Sequence, residues 1–96
     1  MDAIQKKYEN SAIRYSDMWL YFIRDAISVI RECESRNLRI RGLDAFRLFG
    51  KGIQPSMNNS LWFEGNSMDN YQKAIDHLLL PENEPYVFEI WYDGYQ

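Results

Sequence analysis

Apolar residues recur every three or four positions from Trp19 to Cys33: Trp19, Leu20, Ile23, Ala26, Ile27, Ile30 and Cys33 share one stripe. Asp17, Arg24, Asp25, Ser28, Arg31 and Glu32 fill the other positions. That spacing predicts an amphipathic helix of about 18–20 residues. Ser16 is the expected N-cap, Asp17 suits the first turn, and Asn37 can end the helix in the left-handed conformation. The first fifteen residues are polar with scattered Ile4, Tyr8, Ile13 and Tyr15, which fits a short helix or a loose arm.

The period changes at Leu38. Leu38 and Ile40 alternate with Arg39 and Arg41, as in a half-buried strand. Gly42 interrupts, and Ala45 to Phe49 resume a strand-like run, so a bent strand with a bulge or two short strands are both expected. Gly50-Lys51-Gly52 reads as a turn, Ile53-Gln54 as a short piece that Pro55 confines to an edge or strand end, and Asn58-Asn59 as another turn before Leu61-Trp62-Phe63. A second helix opens at Asn66 or Ser67, carries Met68, Tyr71, Ala74, Ile75, Leu78 and Leu79, and stops at Pro81. Tyr86 to Tyr92 form the last strand, with Phe88, Ile90 and Tyr92 on one face and Val87, Glu89 and Trp91 on the other. The expected fold is α+β: two main helices packed on one face of a three- to five-stranded, mostly antiparallel sheet, in the order helix, β-meander, helix, strand. All 96 residues are expected to form one domain.

Composition supports a packed core, since 46% of residues are hydrophobic and 16% aromatic. Unbroken apolar runs span only a few residues, short of the roughly 20 that cross a bilayer. A lone cysteine, Cys33, has no internal disulfide partner, which suits a reducing cytosol. A cytoplasmic, non-membrane protein is expected. Net charge is −3. It is unevenly spread: residues 1–52 hold ten Lys/Arg and seven Asp/Glu, whereas residues 53–96 hold only Lys73 against seven acids. Solubility is one reading of that balance; the sharper one is an acidic surface that repels nucleic acid and steers a basic protein toward it.

Residues for catalysis are sparse. His77 is the single histidine and stands beside Asp76 on a helix, where adjacent side chains diverge. Cys33 lies on an apolar stripe, as inert packing thiols do. Gly50-Lys51-Gly52 lacks the spacing and the helix of a phosphate cradle, and Glu82 and Glu84 fall in a loop with no pocket to separate their pKa values. No enzyme activity, cofactor or metal is expected. Arg36, Arg39 and Arg41 are the one basic cluster, and Arg39 and Arg41 share a strand face. RNA binding through them is disfavoured by the acidic second half, and pairing with Glu32, Glu34 or the C-terminal acids is the competing reading.

Three Trp and seven Tyr exceed what a core of this size readily hides, and these rings dominate interface hot spots. Trp62, Glu64, Glu82, Glu84, Trp91, Tyr92, Asp93 and Tyr95 are the candidate partner-binding residues. For Trp62 and Trp91 a plain core position is the alternative.

Residues 38–63, LRIRGLDAFRLFGKGIQPSMNNSLWF, resemble small immunity proteins of bacterial polymorphic and contact-dependent growth-inhibition toxin systems. The likeness lies in Gly42, Leu43, Asp44, Phe46 and Arg47 entering a strand, then a glycine turn and Ile53-Gln54-Pro55. It implies a non-catalytic, acidic, cytoplasmic toxin inhibitor that occludes a cognate toxin, often a nuclease with a basic cleft. Carboxylates at Glu64, Glu82, Glu84 and Asp93 would then stand in for substrate phosphates. Asp44, Phe46, Arg47 and Gln54 are motif positions, structural or binding, with Asp44 and Arg47 a candidate ion pair. The alternative is a small adaptor or regulatory module for a housekeeping protein, a monomer or weak dimer when free.

Overall fold

The computed structural model describes residues 1–93. Its elements are α1 (Ala3–Lys7), β1 (Ile13–Tyr15), β2 (Met18–Tyr21), α2 (Ile23–Ser35), β3 (Arg39–Phe49), β4 (Gly52–Trp62), α3 (Asp69–Leu78) and β5 (Val87–Asp93), with a 3-10 turn at Pro81–Asn83. The strands form one sheet in the order β1-β2-β5-β3-β4, and every neighbouring pair is antiparallel. This is the expected α+β architecture, with the helices packed on one face.

The N-terminal third departs from expectation. Ser16 is not a helix cap: it takes a φ of 54° in the two-residue Ser16-Asp17 connection between β1 and β2. Positive φ at that position is what a tight hairpin needs to follow the strand twist. Trp19, Leu20 and Tyr21 are all buried because β2 is covered on both faces, Trp19 and Tyr21 within the main core and Leu20 within a smaller cluster opposite. An apolar run of that kind matches a helical stripe by chance. The helix therefore begins at Ile23 and has 13 residues.

Its C-terminus ends as the sequence predicts. Asn37 has a φ of 60°, its N–H donates to the Glu34 carbonyl at 3.1 Å, and the Leu38 N–H donates to the Cys33 carbonyl at 2.8 Å. These are the two crossed bonds of a Schellman cap. The first residues form a short helix, not a loose arm: Asp2 and Gln5 cap it reciprocally, Ile4 is buried in the core, and Lys7 pairs with Glu32 at 3.0 Å.

The segment from Arg39 to Trp62 is a single long hairpin turned by Gly50-Lys51. β3 is one bent strand with register shifts on both sides, between Ile40 and Gly42 against β5 and between Leu43 and Ala45 against β4. Asn58-Asn59 is not a separate turn. On β4, residues 57–60 bow out between Ser56, which faces Ala45, and Leu61, which faces Leu43. Ser60 fills the gap: its hydroxyl accepts from the Ala45 N–H at 2.9 Å and donates to the Ser56 carbonyl at 2.8 Å. α3 starts slightly later than expected, at Asp69, and Pro81 enters the 3-10 turn that follows it.

The main core lies between helices and sheet, where Ala26, Val29, Ile30 and Cys33 of α2 and Ala74, Ile75 and Leu78 of α3 meet Tyr21, Ile40, Leu43, Ala45, Phe88 and Ile90. Burial pushes the Cys33 thiol up to about 12, so it is a packing group with no thiolate at neutral pH. Among the described residues, no helix is long and apolar enough to cross a membrane.

Candidate functional site

The helices leave part of the opposite sheet face open, and its side chains form rows across the strands. One end is closed by Leu20, Phe46 and Val87, with Ile13, Met18 and Ile53 packed against them. Further along come an acidic row, an aromatic row and a charged row.

Gly42 organises the aromatic row. It stands opposite Trp62 on β4 and opposite Trp91 on β5. Those flanking strands lie about 9.5 Å apart, twice the inter-strand spacing. Even so, the two indole centroids are 5.9 Å apart at an interplanar angle of 46°. The rings lean toward each other over a position without a side chain. A Cβ on Gly42 would collide with Cε3 of Trp62 and stand 2.7 Å from its Cδ2 and 2.8 Å from the Leu61 carbonyl. Trp62 remains 51% exposed and Trp91 46%, so neither is core.

In the acidic row, Asp44 on β3 is the direct cross-strand partner of Glu89 on β5. The Trp91 indole N–H donates to Asp44 Oδ2 at 3.0 Å. Burial first, and the Asp44 charge second, push the Glu89 carboxyl up, while the Trp91 N–H acts the other way. No Lys, Arg or His forms a salt bridge with either carboxylate among the described residues. Glu89 was absent from the sequence candidates because only strand register brings it to Asp44.

The charged row pairs two arginines with one acid. Arg39 holds Asp93 through two bonds of 3.1 and 3.2 Å, and Arg41 adds a third at 3.0 Å. Hydrogen bonding from Arg39, with the charges of both arginines, keeps the Asp93 carboxyl below its ordinary range. Arg36 pairs instead with Glu32 at 3.0 Å. The basic cluster is thus spent internally, as the competing reading expects.

The other candidates scatter. Glu64 is exposed beside a shallow cavity shared with Arg39, Arg41 and Asn66. Glu82 and Glu84 lie past the opposite end of α3, so the four acids form no single cluster; Glu84 lines a groove of about 540 Å³ whose apolar wall includes Phe22, Leu79 and Leu80. Tyr92 points to the helix side, where its hydroxyl donates to Asp2 at 2.6 Å. Tyr95 lies outside the described residues. Phe46 is buried in the smaller cluster. Arg47 and Gln54 are cross-strand partners, and both line a small cavity with Phe49 and Tyr86. Asp44 and Arg47 form no ion pair: an odd separation along a strand sends their side chains to opposite faces.

His77 has a structural part. Its Nε2 lies 2.6 Å from the Asn59 carbonyl, which can only accept, so the ring nitrogen donates. Asn83 is buried, donates to the His77 carbonyl at 2.6 Å and accepts from Asn59 at 2.7 Å. Together these bonds pin the bowed-out part of β4 to the end of α3.

Fold and surface define a two-layer α+β protein whose open sheet face presents half-exposed indoles between an acidic row and an ion-paired row. No protein-family model matches the chain, and no curated protein or solved structure matches it.

Proposed function

We propose that the chain is an immunity protein: a non-catalytic binder that seats a bacterial toxin domain on the open sheet face and neutralises it one-to-one. The observation that carries the docking half is the indole pair over Gly42, about half exposed on a face without a helical cover. Large rings held rigidly at a surface lose little side-chain entropy on binding and make strong anchors. The toxin half draws on the resemblance over residues 38–63, which fold as the hairpin that contributes Gly42, Asp44 and Trp62 to this face. Among the four carboxylates proposed as phosphate stand-ins, Asp93 is already paired, so the contribution of charge comes from Asp44, Glu89 and Glu64.

The test is co-expression with the toxin domain encoded beside the gene, followed by calorimetry on the purified pair. Protection and a one-to-one complex are expected, with Trp62→Ala or Trp91→Ala weakening binding by about thirtyfold or more, the scale of an interface hot spot. A toxin that kills regardless, or binding indifferent to both substitutions, refutes the proposal.

A further inference from the structure

We infer that the acidic and aromatic rows together form a receptor for one arginine side chain of the docking partner. The inference rests on the open sheet face being the docking surface, and it names what that surface grips. Asp44 and Glu89 are directly opposed in the sheet. Like charges in that arrangement work against the free fold. They persist with no cation of the chain at salt-bridge distance among the described residues, although Arg39 and Arg41 stand on the same face. Both of those arginines are committed to Asp93 at 3.0–3.2 Å. The charge imbalance is therefore local, and it is relieved by a cation arriving from outside.

The aromatic row decides which cation. Trp91 flanks the carboxylates directly, since its N–H is bonded to Asp44, and Trp62 lies against Trp91. A guanidinium is planar, stacks on an indole face and offers paired donors to carboxylates; an ammonium does only the electrostatic part. The chain already shows the stacking half of this chemistry elsewhere, where the Arg14 guanidinium carbon sits 3.9 Å from the Trp19 ring centroid. A partner Arg laid on the exposed indoles would turn its paired donors to the adjacent carboxylates.

The experiment is an NMR titration of the whole protein, following the three indole N–H signals, with N-acetyl-argininamide and with its neutral isostere N-acetyl-citrullinamide. The Trp62 and Trp91 signals are expected to move saturably with the arginine probe and at least about tenfold more weakly with the citrulline probe. Trp19, buried beneath Arg14, serves as the internal control. The double variant Asp44→Asn, Glu89→Gln should erase the difference between probes; because it removes a like-charge contact, a melting temperature at or above that of the parent shows that it is folded. Equal response to both probes, or an arginine response that survives in the double variant, overturns the receptor. Should that happen while Trp91→Ala still weakens toxin binding, the docking face stands without its arginine. If the probe binds as expected but toxin binding ignores Trp62 and Trp91, the docking reading falls and the arginine receptor remains.

Discussion

Gly42→Ala tests the central packing feature of the open face. A methyl group there meets the six-membered part of the Trp62 indole and lies 2.8 Å from the Leu61 carbonyl. The indole can swing outward, because its far side is in solvent, but the carbonyl belongs to a paired strand and moves only with the ladder. Swinging the ring away gives up its contact with Trp91, which is worth about 0.5–1.5 kcal/mol beyond area burial. Overpacking costs about 1–3 kcal/mol, and alanine returns about 0.4–1 kcal/mol by restricting the unfolded chain. The net expectation is a loss of about 0.5–4 kcal/mol, centred on about 2 kcal/mol, which lowers Tm by roughly 8–16 °C. Urea unfolding monitored by fluorescence measures the loss, and the far-ultraviolet circular dichroism band of coupled indoles reports the pair. Introducing the same change into Trp62→Ala isolates the cause: with the ring gone, only the Leu61 contact remains, so the alanine should cost less there. Additive effects within about 0.5 kcal/mol, or a variant that melts higher with its indole coupling intact, refute the account.

Two other expectations concern the polar groups. Asn83→Ala removes the bonds to the His77 carbonyl and Asn59 and leaves partners unsatisfied in a buried site, at a cost of about 2–3 kcal/mol; the urea midpoint should drop with an unchanged slope. For Glu89 the folded-state pKa is raised above 4.5, so the folded protein binds more protons than the unfolded chain between the two values. Stability then falls as pH rises through that interval, and Glu89→Gln should be the more stable protein at pH 7, its advantage vanishing below pH 4.5; thermal melts across pH decide this, and a variant less stable at neutral pH contradicts it.

Layer order, the helix-side stripe, the Asn37 cap and the Gly50-Lys51 turn were legible because each depends on neighbours within a few positions. β2 was not. Trp19 and Leu20 pair with Arg14 and Ile13 across the Ser16-Asp17 hairpin, and the strand is completed by partners nearly seventy residues away, Leu20 facing Glu89 and Tyr21 facing Phe88. No local period distinguishes a doubly covered strand from a buried helical turn. The site divides similarly. Trp62 and Trp91 stood out by residue type, and Arg39 with Arg41 by alternation. The acid pair did not, since Asp44 and Glu89 meet only through the register of β3 and β5. Composition suggested an acidic half, but the fold sends Glu64 and Glu84 to opposite ends of α3 and hands Asp93 to two arginines.

The place of β5 in the sheet has a consequence for assembly. It comes after every other strand in sequence, yet it separates β2 from β3. Until residues 87–93 are inserted, the two hairpins are separate pieces with unsatisfied edges facing one another, and neither can shield its apolar side chains fully. Closure is a late, long-range event, which favours slow folding. The same insertion lays down Glu89 and Trp91, so the receptor for a guanidinium and the finished sheet come into being in one step.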